Sequence, residues 1–302
     1  MRKMNSNTKI GRALLFMCLT TAICAAAPEQ PGGTKHRAAK QSIAPLAESL
    51  QPDKIVTYKK IGDRDLTLHI FHPKGFDAAG HWPAFVVIHG GGWVSGTARG
   101  FYPYAHALAE RGYVGISVDY RLASEKGVTV FDCVKDARSA VRYVRAHAAE
   151  LGIDPHRIAV AGGSAGGHLA AGAAFFDGID HADDNPHVSC RPDALVLYFP
   201  VLDTSDKGYG RKRIGDDWKT ISALARVKRG APPTLVFHGD ADKTVPYAGS
   251  VAFVKRMHDL GNVCELVTGH GGAHGYINFD MRIFNDAVEK TAAFLGKHLA
   301  AK

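Results

Sequence analysis

A serine hydroxyl is a weak nucleophile until an imidazole takes its proton, and the imidazole needs a carboxylate to fix its tautomer and stabilise its cation. The chain carries all three groups in places where a fold can bring them together. Ser164 stands in Gly162-Gly163-Ser164-Ala165-Gly166, which fits G-x-S-x-G. It follows the apolar, β-branched run 158–161 and precedes a stretch rich in Ala and Gly, so the motif reads as a strand turning sharply into a helix. Backbone segments approach closely in such a turn, and only small residues fit around the serine. The turn also sets the serine at a helix N-terminus, where unpaired N–H groups favour the anion formed when an acyl carbonyl is attacked. Aspartates stand at 240 and 242 within residues 239–244, and histidines at 270 and 274 within residues 269–275. Each loop directly follows a predicted strand, and the order is Ser, Asp, His. The residue types alone leave open which aspartate and which histidine take part.

A second Gly-rich stretch, His89-Gly90-Gly91-Gly92-Trp93, follows the apolar run 84–88. Three glycines after a buried strand leave backbone N–H groups without side-chain cover, as an oxyanion hole requires. Trp93 is read as a wall of the substrate pocket, with a cap on the core as the other reading.

These loops need a scaffold. Residues 54–61 and 66–72 alternate as an antiparallel hairpin turning at 62–65, and strands are expected at 84–88, 113–120, 158–161, 194–199, 234–237 and 264–268. Helices are predicted over 102–111, 131–151, 247–260 and 281–299. The clearest is 131–151, in which Val134, Ala137, Val141, Val144 and Ala148 recur at helical spacing before Gly152. Strands alternating with helices imply a parallel α/β sheet, with the catalytic loops at the carboxyl ends of its strands. Residues 177–193 hold Asp180, His181, Asp183, Asp184 and His187, at spacings that match no metal-ligand set and suit a polar loop. Residues 203–230 read as a basic surface excursion with a short helix bordering the pocket.

The chain has 302 residues, 46% of them hydrophobic, which is ample for one α/β domain. Four of the basic residues behind its net charge of +8, Arg2, Lys3, Lys9 and Arg12, lie in the first 12 positions. No basic run with interleaved aromatics follows them, so nucleic acid is not an expected partner. Those charges, the apolar stretch 13–24 and Ala25-Ala26-Ala27 together predict a signal peptide over 1–26 and a secreted or periplasmic protein. The apolar stretch is short of the about 20 residues a bilayer requires, so integral membrane association is not expected. Residues 27–53 read as a linker or loose arm, and 54–302 as the catalytic domain. Cys133, Cys190 and Cys264 are expected as buried small hydrophobes that form at most one bridge.

These motifs resemble those of the α/β-hydrolase superfamily, closely its esterase/lipase branch with the H-G-G-G loop, which includes bacterial acetyl, acetyl xylan and feruloyl esterase-like enzymes. The resemblance runs from about residue 54 to the C-terminus. It implies a mostly parallel central sheet of about eight strands with helices on both faces. Its H-G-x-x-D-x-x-V-P pattern places the acid at Asp242, and the Gly275-Tyr276 context selects His274. Gly91, Gly92 and Ala165 correspond to the branch's oxyanion donors, and no cofactor is implied. Arg191-Pro192-Asp193-Ala194 and Pro200-Val201-Leu202-Asp203 are similar to sequences of acetyl and acetyl xylan esterases. The expected substrate is therefore a small acyl ester or an acylated carbohydrate, with feruloyl esters or lipids as alternatives. A non-catalytic binding protein on the same fold is the competing function.

Overall fold

The computed structural model describes residues 41–300. The signal-peptide reading of 1–26 and most of the arm reading lie outside the described residues. The chain runs α1 (Ala44–Ser49), β1 (Lys54–Ile61), β2 (Arg64–Phe71), β3 (Trp82–Ile88), α2 (Tyr102–Ala109), β4 (Val114–Val118), α3 (Val130–Ala146), β5 (Ile153–Gly163), α4 (Ala165–Phe175), β6 (Ala194–Tyr198), α5 (Arg211–Ile214), α6 (Ala223–Arg226), β7 (Thr234–Gly239), α7 (Tyr247–Asp259), β8 (Cys264–Gly269) and α8 (Met281–His298). Short 3-10 turns occupy Ala98–Phe101, Asp216–Ile221 and Tyr276–Phe279.

The strands form one eight-stranded sheet in the order β1-β2-β4-β3-β5-β6-β7-β8. The β1–β2 and β2–β4 pairs are antiparallel, and the other five pairs are parallel. Ala84, Val86 and Ile88 of β3 join one apolar core with Val134 of α3, Leu169 of α4 and Phe253 of α7. Phe85 and Val87, pointing the other way, join a second core with Leu108 of α2 and Val288 of α8. Burial on both faces is why the central strands are continuously apolar rather than alternating. This is the α/β-hydrolase fold. Among the described residues no helix is long and apolar enough to cross a membrane.

The hairpin turn is tighter than the sequence suggests: Ile61 pairs with Arg64, leaving only Gly62 and Asp63 between the strands, with Gly62 at φ 59°. Helix α3 opens on a capping box between Thr129 and Asp132 and ends at Ala146, before its apolar pattern runs out. Ala148 and Leu151 stay buried in the turns that follow, because the chain must reverse into β5 through Gly152 at φ 66°. The acidic loop 177–193 is strapped to this helix. Arg138 Nε reaches Asp180 at 2.8 Å, Arg142 reaches Asp184 at 3.2 Å and Arg145 reaches Asp193 at 3.0 Å.

The described end of the 27–53 stretch is not loose. Ile43 and Ala47 are buried, the Ile43 amide donates to the Asn278 carbonyl at 3.0 Å, and the Met281 amide donates to the Gln41 carbonyl at 2.8 Å. One short turn with two apolar residues is too brief to show a period, yet it docks on the segment following His274. Cys133, Cys190 and Cys264 are buried and unpaired.

Candidate active site

Because β3, β5, β7 and β8 run parallel, the loops that follow them emerge at one edge of the sheet. Ser164 lies between Gly163, the last residue of β5, and Ala165, the first of α4. Its backbone, at φ 56° and ψ −119°, is in a region a non-glycine residue rarely adopts, a strain of about 1–3 kcal/mol held by its surroundings. Its neighbours show why the corner is made of small residues. A Cβ on Gly162 would lie 2.2 Å from the Gly166 carbonyl oxygen, and one on Gly166 would lie 2.1 Å from that of Ile88.

His274 Nε2 lies 2.9 Å from Ser164 Oγ, and His274 Nδ1 lies 2.7 Å from Asp242 Oδ2. A carboxylate only accepts, so Nδ1 carries the hydrogen and Nε2 is left to take the serine proton. The Asp242 side chain is fully covered. Burial alone would raise its pKa, but hydrogen bonds from His274 and from the Val245 and Thr244 amides bring it below the usual carboxylate value. Those amides donate to Oδ1 at 2.9 and 2.8 Å. Asp240 and His270 pair with each other instead, at 2.9 Å, on the outer side of the same two loops, and the Gly271 amide closes onto Asp240 at 2.7 Å. The three residues brought together are thus Ser164, Asp242 and His274.

Asp242 has a further partner that sequence reasoning passed over. His238 Nε2 lies 3.1 Å from Asp242 Oδ2 and 3.1 Å from the Val245 carbonyl, both acceptors, so it carries hydrogen. Its Nδ1 then accepts from Ser250 Oγ at 2.7 Å. Burial lowers the His238 pKa, against the opposing charge of Asp242, and keeps the ring a neutral donor. The signal was present: His238 is the first residue of the H-G-x-x-D pattern, one turn of chain before Asp242.

The amides of Gly91 and Gly92 donate to no acceptor among the described residues. Ala165 opens α4, where first-turn amides have no carbonyl four residues back. Gly91, at φ 116°, admits no side chain, since a Cβ there would lie 2.0 Å from the Ser95 carbonyl oxygen. His89 braces this loop from below. It is buried, stacks on Tyr120 at 4.3 Å and donates from Nδ1 to the Gly90 carbonyl at 2.8 Å. Burial brings its pKa down to about 4.

A cavity of about 460 Å³ opens over these groups, walled by Gly91, Gly92, Ser164 and His274 together with Phe199 and Tyr209. Trp93 does not line it, contrary to expectation. At φ 65° its backbone turns the indole inward, where it is wholly covered and packs on His168 and Tyr209 at ring distances of 5.2 and 5.6 Å. Tyr209, from the 203–230 excursion, takes the place expected of Trp93. That segment has no periodicity to mark which of its residues reach the site.

Residues 68–257 match the BD-FAE family model. The carboxylesterase NlhH of Mycobacterium tuberculosis is 47% identical over 72% of this chain and 72% of its own length. The probable carboxylic ester hydrolase LipM of the same organism is 28% identical over 76% of this chain. The chain spans a little over half the length of the first curated relatives it matches, 57% of LipM and 58% of the esterase LipC. Among solved structures, apo Thermogutta terrifontis esterase 2 superimposes with a TM-score of 0.78 at 40% identity, covering 82% of this chain and 96% of that one. The same esterase is known phosphorylated by paraoxon and with propionate or butyrate bound.

Proposed function

The chain belongs to the BD-FAE family, and from that premise we propose that it is a serine carboxylesterase acting on short acyl esters through an acyl-enzyme on Ser164. The observation that carries the reading is the unbroken hydrogen-bond chain Ser164–His274–Asp242 beneath free backbone amides. Ser164 Oγ bonds to the acyl carbon while its proton passes to His274 Nε2. The carbonyl electrons move onto oxygen, and the oxyanion accepts hydrogen bonds from the Gly91, Gly92 and Ala165 amides. Asp242 holds the imidazolium. The tetrahedral centre then collapses, the bond to the alkoxy oxygen breaks, and that oxygen takes the proton from His274 Nε2. Water, deprotonated by the same imidazole, attacks the acyl carbon and releases Ser164 and the acid. No step calls on a cofactor.

Short acyl groups are supported by the propionate and butyrate bound to the Thermogutta relative, and acetyl as the foremost of them rests on the similarity of residues 191–194 and 200–203 to acetyl esterases. An acylated carbohydrate as the natural substrate rests on the similarity of residues 191–194 and 200–203 to acetyl xylan esterases. Export rests on the basic and then apolar first 26 residues. Hydrolysis of 4-nitrophenyl esters from acetate to octanoate, by the protein and by Ser164→Ala, tests the activity. The expected result is turnover highest among the short esters and a loss of about 10⁴-fold or more in the variant. Equal rates for the two proteins would remove the reading. Acetate release from acetylated xylan tests the carbohydrate, and fractionation of producing cells tests the export.

A further inference from the structure

Beside the catalytic cavity, the 203–230 excursion builds a second one of about 560 Å³. Tyr209 lines both, and its hydroxyl comes within 3.1 Å of the point where a Cβ on Gly92 would stand, so its ring is a shared wall against the oxyanion loop. The second cavity is rich in donors. Arg211, Lys212 and Arg213 line it against one carboxylate, Asp206. Arg211 is held at one end by Asp216 at 2.7 Å, while its Nε is covered and has no hydrogen-bond acceptor, Asp206 standing off at 3.9 Å. Lys212 and Arg213 are exposed and pair with no carboxylate among the described residues. The two unpaired cations Lys212 and Arg213 beside this hollow favour an anionic ligand with oxygen acceptors.

We propose that this cavity is an accessory subsite for a carboxylate carried by the ester substrate, on the alcohol part as in an acidic sugar, or on the acyl part as in a half-ester of a dicarboxylic acid. The proposal rests on the esterase reading above and adds the charge of the substrate to it. Planar guanidinium groups suit a carboxylate, whose two oxygens they can engage together.

The test compares kcat/KM for two matched pairs, 4-carboxyphenyl acetate with phenyl acetate for the alcohol side, and mono-4-nitrophenyl glutarate with 4-nitrophenyl butyrate for the acyl side. The proteins are the full chain, the double variant Lys212→Glu/Arg213→Glu, and Lys255→Glu/Lys290→Glu, exposed residues of α7 and α8 in neither cavity, as a control for net charge. Intrinsic reactivity cancels in the charged-to-neutral ratio. The expected result is a fall of about tenfold in that ratio for one pair in the double variant, little change in the control, and a smaller ratio for the full chain as salt is raised. The pair that responds identifies which part of the ester carries the carboxylate. A ratio unchanged for both pairs, with phenyl acetate still hydrolysed, would overturn the subsite and leave the esterase standing. Failure to hydrolyse any of the four would overturn the esterase reading and the subsite together.

Discussion

Asp240 and Asp242 stand two residues apart on one loop and have different neighbours, so their substitutions should part widely. Asp242→Asn keeps the volume but offers His274 an amide in place of a full acceptor, disturbing the tautomer that Ser164 needs. Loss of about 10⁴-fold in kcat is expected. Asp240→Asn weakens a pair whose histidine is 86% exposed, and a change of less than about threefold is expected. Steady-state kinetics on a short ester separates the two outcomes, and equal losses would mean that the loops are misread. His238 belongs between these extremes. His238→Ala removes one donor from Asp242 Oδ2 and leaves Ser250 Oγ without its acceptor. A kcat loss of about tenfold to a hundredfold at nearly constant KM follows from one hydrogen bond to a charged group. His238→Gln, which can restore a donor, should recover part of it, whereas a merely structural role would show only in the melting temperature.

At the scale of elements, the β5–α4 corner and the closing helix α8 give opposite outcomes for the same change. Gly166→Ala would force a Cβ to within 2.1 Å of the Ile88 carbonyl oxygen, where β3 leads into the Gly-rich loop, so it should cost more than about 2 kcal/mol and distort the site. Gly296→Ala, exposed on α8 with nothing within 4 Å, should stabilise by about 0.5–1 kcal/mol. Denaturant melts of both variants check the pair. The same contrast explains what was legible in the sequence. The elbow, the H-G-G-G loop and the two partner loops are visible because steric and chemical demands leave few residue choices there. Strands buried on both faces announce themselves as apolar runs, and α3 by its spacing. Spacing alone could not choose Asp242 over Asp240 or His274 over His270, since both pairs sit on the same loops and differ only in which way they face. Trp93 was misplaced because a backbone at φ 65° leaves no trace in the residue type. Tyr209 escaped because the 203–230 segment has no periodicity, and the α1 turn because six residues are too few to show one.

Across the whole molecule, two buried histidines tie stability to pH. His89 and His168 are each brought by burial to about 4 from an ordinary 6.5, and each has one ring nitrogen without a partner. A depressed value in the folded state means that the unfolded chain binds protons first, so their contribution is complete above pH about 6.5 and is lost as pH falls toward about 4. Up to about 3 kcal/mol for each is at stake. Unfolding free energy measured across that window should fall steeply, and more shallowly in His168→Gln. A flat profile would mean that these rings are not buried neutral. The activity claim itself is best tested by titrating the whole chain with paraoxon, the agent that phosphorylates the Thermogutta relative. One diethylphosphoryl group per chain is expected, mapped by peptide mass spectrometry to Ser164, with matching loss of ester hydrolysis and far slower labelling in His274→Ala. Labelling at another residue, or none at Ser164 in a folded protein, would mean that Ser164 is not the nucleophile.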